Sequence, residues 1–113
     1  MASVTIGQKG CLNADLVLAQ SQSFGVTVTH ENKDGTAIDH TGESGYCRLQ
    51  RKGKDDVVLD EYVTVGETVE IAIPGSVTAQ IETGSWNWDL FVGDTRLLYG
   101  KCEVFDTYAR DDG

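Results

Sequence analysis

Apolar and polar residues alternate with period two along most of this chain, and β-branched and aromatic residues fill many of the apolar positions. Residues 14–19 (ADLVLA) read as a first strand. Residues 23–30 (SFGVTVTH) set Phe24, Val26 and Val28 on one face and Thr27 and Thr29 on the other. Glu31 to Gly35 is a turn, because its Asp34-Gly35 pair suits positive φ. Thr36 to Gly45 reads as a loop with a brief extended piece at 37–39. In the strand over 45–52, Tyr46, Arg48 and Gln50 share one face, and Cys47 and Leu49 are the core candidates on the other.

A turn at Gly53 to Asp56 leads to a strand over 57–65, with Val57 and Leu59 pointing one way. Residues 68–73 follow, with Val69, Ile71 and Ile73 inward, until Pro74 and Gly75 stop the strand. Ser76 to Ile81 has room for a single helical turn. The strongest strand comes after Gly84: Trp86, Trp88, Leu90 and Val92 face one way, and Asn87, Asp89 and Phe91 face the other. Gly93-Asp94 is a two-residue hairpin signal of type II′. A return strand over 95–99 and a last strand over 101–107 complete the set, and residues 110–113 are expected to fray.

Seven or eight short strands with turns every 8–12 residues predict an all-β, antiparallel sandwich or barrel rather than parallel βαβ units. The 113 residues make one domain, expected to be ordered over about 14–107. The core is expected to hold Phe24, Val26, Val28, Leu49, Val69, Ile71, Trp86, Trp88 and Leu90. The two tryptophans weigh most, since a buried aromatic removes about 150–250 Å² from water. Asp89, on the back of that strand, is expected to be a structural partner of Arg96 or Arg48.

Charge narrows the partners. Acidic residues outnumber basic ones by 18 to 9, for a formal net charge of −9. Nucleic acid and anionic membrane surfaces both need clustered Lys and Arg, so neither is expected as a partner. The one basic cluster (Arg48, Arg51, Lys52, Lys54) runs straight into Asp55 and Asp56, and reads as a solvated strand end and turn. No apolar run approaches the roughly 18 residues of a membrane span, and no secretory pattern opens the chain, so folding in the cytoplasm is expected. Three cysteines without CxxC spacing read as reduced, partly buried small residues.

Candidate chemistry is sparse. His30 at a strand end and His40 in a loop read as surface or capping residues. Glu31, Asp34, Asp39 and Glu43 lie in and near one loop but lack the spacing of a calcium loop, so they read as solvated carboxylates. There is no phosphate-binding glycine pattern, GxSxG or HExxH. No catalytic, cofactor-binding or metal-binding residue is assigned, no cofactor is expected, and the chain is expected not to be an enzyme.

Several short segments, in order, resemble a known family. Gln20 to Phe24 holds the place of a Q-G-D-like turn. Asp34-Gly35 is followed by Ile38-Asp39-His40-Thr41-Gly42, similar to an I-D-L-T-G segment. Thr68 to Ile73, Thr78-Ala79 and Gly84 to Leu90 (GSWNWDL) then follow the family's apolar strand, its T-A turn and its G-x-Y-x-Y-D-L strand. Arg96-Leu97-Leu98-Tyr99-Gly100 and the strand from Glu103 to Arg110 close the pattern. Across residues 14–110 this order resembles the N-terminal domain of upper-baseplate proteins in tailed phages and prophages. His40 stands where that pattern has an apolar residue, and two Trp stand where it has Tyr.

The resemblance implies an immunoglobulin-like β-sandwich without catalytic residues, built into a tail, baseplate or neck. Its partners would be other virion proteins and further copies of the chain, in a virion assembled in the bacterial cytoplasm. Because the sequence stops where larger baseplate proteins continue, a stand-alone virion component is the expected form. Two other functions stay open. One is an independent carbohydrate- or protein-binding module, which aromatics such as Tyr46, Tyr62, Phe91 or Tyr99 exposed on one sheet face would favour. The other is an acidic cytoplasmic regulator or inhibitor of a basic partner.

Overall fold

The alternation folds into two β-sheets packed face to face, as seen in a computed structural model that describes residues 2–7 and 11–106. Among these residues, one sheet has four strands: β1 (Ala2–Ile6), β4 (Phe24–His30), β8 (Val69–Ile73) and β7 (Val63–Val65), in spatial order 1-4-8-7. The other has six: β2 (Leu12–Asn13), β3 (Leu16–Ala19), β10 (Thr95–Phe105), β9 (Gly84–Val92), β5 (Gly45–Gln50) and β6 (Val57–Val58). Here β9 lies between β5 and β10, and both β2 and β3 line up along the far side of β10.

The β-sandwich agrees with the alternation, but the sheets are mixed rather than purely antiparallel. β1 runs parallel to β4, and β2 and β3 run parallel to β10. Parallel partners lie far apart in sequence, so no hairpin turn announces them. The ordered chain also begins before residue 14, because β1 places buried Ile6 opposite His30. Residues 110–113, expected to fray, and Thr107 lie outside the described residues.

Two stretches differ from their expected form. The single strand expected over 57–65 is two short strands joined by a 3-10 turn, Asp60–Tyr62. β6 belongs to the six-stranded sheet and β7 to the four-stranded one, so this turn carries the chain across the sandwich. Asp60 fixes the crossing by accepting the Cys47 N–H at 2.9 Å and pairing with Arg48 at 3.2 Å. Conversely, the strands expected at 95–99 and 101–107 are one, β10, irregular between Arg96 and Leu98. That irregularity lets adjacent Leu97 and Leu98 both be buried. β10 passes Ala14 at Gly100, where any Cβ would collide with the Ala14 carbonyl oxygen.

The Gly93-Asp94 hairpin pairs Val92 with Thr95 directly, and Gly93 has φ +56°. Between the sheets lies one continuous apolar cluster. Val26, Val28, Leu49, Val69, Ile71, Trp86, Trp88 and Leu90 are buried in it, while Phe24 is half-buried against its margin. Phe24 instead lines an open hollow with Ile73 and Pro74. Both indoles satisfy their N–H groups: Trp88 donates to the Ala14 carbonyl at 2.7 Å and Trp86 to the Glu82 carbonyl at 3.0 Å.

Candidate functional site

Strand alternation places every second residue of β5, β9 and β10 on the outer face of the six-stranded sheet. Their register aligns them in three rows. Tyr46, Phe91 and Arg96 form the first row, Arg48, Asp89 and Tyr99 the second, and Gln50, Asn87 and Lys101 the third. Two adjoining hollows follow these rows. One, of about 260 Å³, is lined by Tyr46, Arg48, Gln50, Asp89, Phe91 and Gly93. The other, of about 150 Å³, shares Gln50 and Asp89 and reaches Asn87, Arg96 and Tyr99.

The charges of this groove are matched locally. Asp89 lies 4.0 Å from Arg96, with side chains 24% and 44% exposed, so water screens the pair and its stabilising effect is small. Arg96 also lies over the Tyr99 ring, 4.8 Å from its centroid. Arg48 lies directly across the strands from Asp89 in register, but its recorded ion pair is with Asp60. The Asp60 contact holds the Arg48 guanidinium above the ordinary arginine range, mainly through the side-chain hydrogen bond. Lys101 donates to Asn87 Oδ1 at 2.9 Å.

Two further members of the basic cluster, Arg51 and Lys54, turn away from the groove. Arg51 and Lys54 both pair with Glu82, at 3.3 and 3.2 Å, and Arg51 lies over the Trp86 ring at 4.2 Å. Of the aromatics singled out in the sequence, Tyr46, Phe91 and Tyr99 share this face. Tyr62 does not: it packs against the core beside the 3-10 turn.

The histidines are not surface residues. His30 and His40 are both buried. Their rings are parallel within 2°, with centroids 5.2 Å apart and His30 Nδ1 2.9 Å from His40 Nε2. A nitrogen contact that short at that centroid separation means two rings edge to edge in nearly one plane, sharing a hydrogen bond rather than stacking face to face. His40 Nδ1 is 2.7 Å from Glu43 Oε2. A carboxylate only accepts, so His40 Nδ1 carries its proton. In a neutral His40, Nε2 then accepts from His30 Nδ1–H. This chain ties the end of β4 to the loop before β5, and a Cβ at Gly93 would touch Glu43. One signal for it was present in the sequence: His30 shares the parity of Val26 and Val28.

The loop carboxylates do not converge. Asp34 and Asp39 are each engaged by a Thr two residues on, which holds both carboxyls below their ordinary range. Among the described residues no cluster of three or more His, Cys, Asp or Glu side chains is arranged to hold a metal ion. Cys47 and Cys102 are buried in the core, and burial pushes both thiols up to about 12, whereas Cys11 is exposed. Among the described residues no helix is long and apolar enough to cross a membrane.

No protein-family model matches this chain, and no curated protein sequence matches it. Solved structures do. The N-terminal domain of ORF48 from phage TP901-1 superposes with a TM-score of 0.55 at 10% identity, covering 92% of this chain and 97% of that one. Drosophila Semaphorin 2a matches at a TM-score of 0.43 and 12% identity over 85% of this chain and 15% of that one, too loosely to bear on the fold. The chain therefore shares its β-sandwich fold with a phage protein domain along most of its length.

Proposed function

We propose that this chain is a non-catalytic structural component of a phage or prophage virion. It acts as a single β-sandwich domain in a tail, baseplate or neck, through contacts with other virion proteins and with copies of itself, and it is assembled in the bacterial cytoplasm. The observation that carries this reading is the sandwich it has in common with the ORF48 domain of phage TP901-1, over 92% of this chain and 97% of that one. The ordered motifs from Asp34-Gly35 to Arg96-Leu97-Leu98 resemble the upper-baseplate pattern and point the same way, without a matching family model.

The composition of purified particles tests the proposal. A lysogen carrying the gene is induced, intact virions are banded by density, and their proteins are identified by mass spectrometry. The chain is expected at a stoichiometry of several copies per particle. Its consistent absence from intact, infectious particles would overturn the proposal.

A further inference from the structure

The groove on the six-stranded sheet has a chemistry that assembly contacts do not require. Aromatic rings line both hollows: Tyr46, 40% exposed, with Phe91 in one, and Tyr99 in the other. Alongside them the walls present planar polar groups, the carboxylate of Asp89 in the row of Tyr99 and the amides of Gln50 and Asn87 in the next row. Each such group offers two atoms at a spacing suited to neighbouring hydroxyls. Both guanidinium groups already face a carboxylate, Arg48 on Asp60 and Arg96 near Asp89. Arg48 Nε is buried without a hydrogen-bond partner, out of reach of a ligand in the groove.

These features select a ligand class. The groove carries little unmatched charge, so it does not call for an ion. An acidic chain with net charge −9 repels anionic polymers. The exposed aliphatic residues Leu12, Val17 and Val58, and Phe105, lie outside both hollows, whose large apolar side chains are all aromatic. A neutral sugar ring fits: its C–H face packs on an aromatic face, and its hydroxyls both donate and accept. The hollows of about 260 and 150 Å³ are shallow and adjoin end to end, which suits a short oligosaccharide lying across the strands. We infer that the outer face of the six-stranded sheet is a binding site for a neutral oligosaccharide, packed on Tyr46 and Tyr99 with Gln50, Asn87 and Asp89 on its hydroxyls.

The test is a titration of the isotope-labelled full chain, followed by amide NMR shifts. Maltotriose, cellotriose, triacetylchitotriose and a β-linked galactotriose serve as four separate probes at millimolar concentration. At least one is expected to shift amides in 45–50, 87–91 and 96–101, while those of the four-stranded sheet stay in place. Tyr46→Ala and Tyr99→Ala should each weaken that binding by about three- to tenfold, the range of a lost aromatic contact. Phe105→Ala, on the same face outside the groove, should leave affinity unchanged. Tyr46→Phe and Tyr99→Phe keep the ring if either alanine variant fails to fold, and should retain binding. The inference is overturned if none of the four probes moves these amides, or if the shifts map elsewhere. Particle composition plays no part in this measurement, so the site and the virion role stand or fall separately.

Discussion

The two outer faces of the sandwich arise from the same alternation and have opposite characters. On the four-stranded sheet the outward residues line up as Ser3, Thr27, Glu70 and Thr64 across one row, with Thr5 beside Thr29 and Gly25 beside Ala72. Apart from Glu70 these are short side chains, mostly β-hydroxyl, and no aromatic ring stands among them. On the six-stranded sheet the outward rows hold Tyr46, Phe91, Tyr99, Arg48, Arg96 and Asp89. Threonine suits an extended backbone and protrudes little, so it builds a sheet without contouring it. Long and aromatic side chains leave hollows between them. A period-two pattern therefore says which residues point outward, but the volume of those residues decides whether the face can grip anything.

The inner layers differ too. The six-stranded sheet supplies both tryptophans and both buried thiols from β5, β9 and β10. The largest expected effect follows from this. Trp88→Ala removes a buried indole and its bond to the Ala14 carbonyl, and should destabilise the fold by about 3–5 kcal/mol in urea unfolding. A loss below about 1 kcal/mol would mean that the groove does not rest on a packed core.

Alkaline pH should act on the same layer. Burial pushes the Cys47 and Cys102 thiols up to about 12 in the folded chain, from an ordinary value of 9.0. Above pH 9 the unfolded chain therefore loses thiol protons that the folded chain keeps. The stability from these thiols is complete below about 9 and falls as pH rises towards 12. Unfolding followed between these limits should show that decline, and Cys47→Ala/Cys102→Ala should flatten it. At pH 8, a thiol reagent should label Cys11 alone in the native protein and all three cysteines in denaturant.

Smaller effects sharpen the contrast between the faces. His40→Phe breaks the chain from His30 to Glu43 and should cost about 1–3 kcal/mol, which thermal unfolding would detect. Thr64→Val on the flat face should change stability by no more than about 0.5 kcal/mol. A much larger loss there would show that the four-stranded face is not the passive one.

Much of this was legible from parity alone. Val26, Val28, Leu49, Val69, Ile71, Trp86, Trp88 and Leu90 occupy the inward positions of their strands, and Tyr46, Phe91 and Tyr99 the outward ones. Tyr62 was not legible in this way, because the 3-10 turn at Asp60–Tyr62 breaks the period just where the chain changes sheets. Neither was β1, whose partner β4 lies beyond β2 and β3 in the chain. The histidine pair was half legible: parity puts His30 inward, but nothing local brings His40 and Glu43 to it.

The sequence by itself determined the alternation, the inward set and the tight Gly93-Asp94 hairpin, because each depends on backbone geometry within a few residues. Only the tertiary structure decided which strands run parallel, where the chain crosses between sheets, and which outward side chains share a groove. Those outcomes depend on contacts between residues far apart in the chain, where register and packing against a common core, rather than local preference, fix the partner.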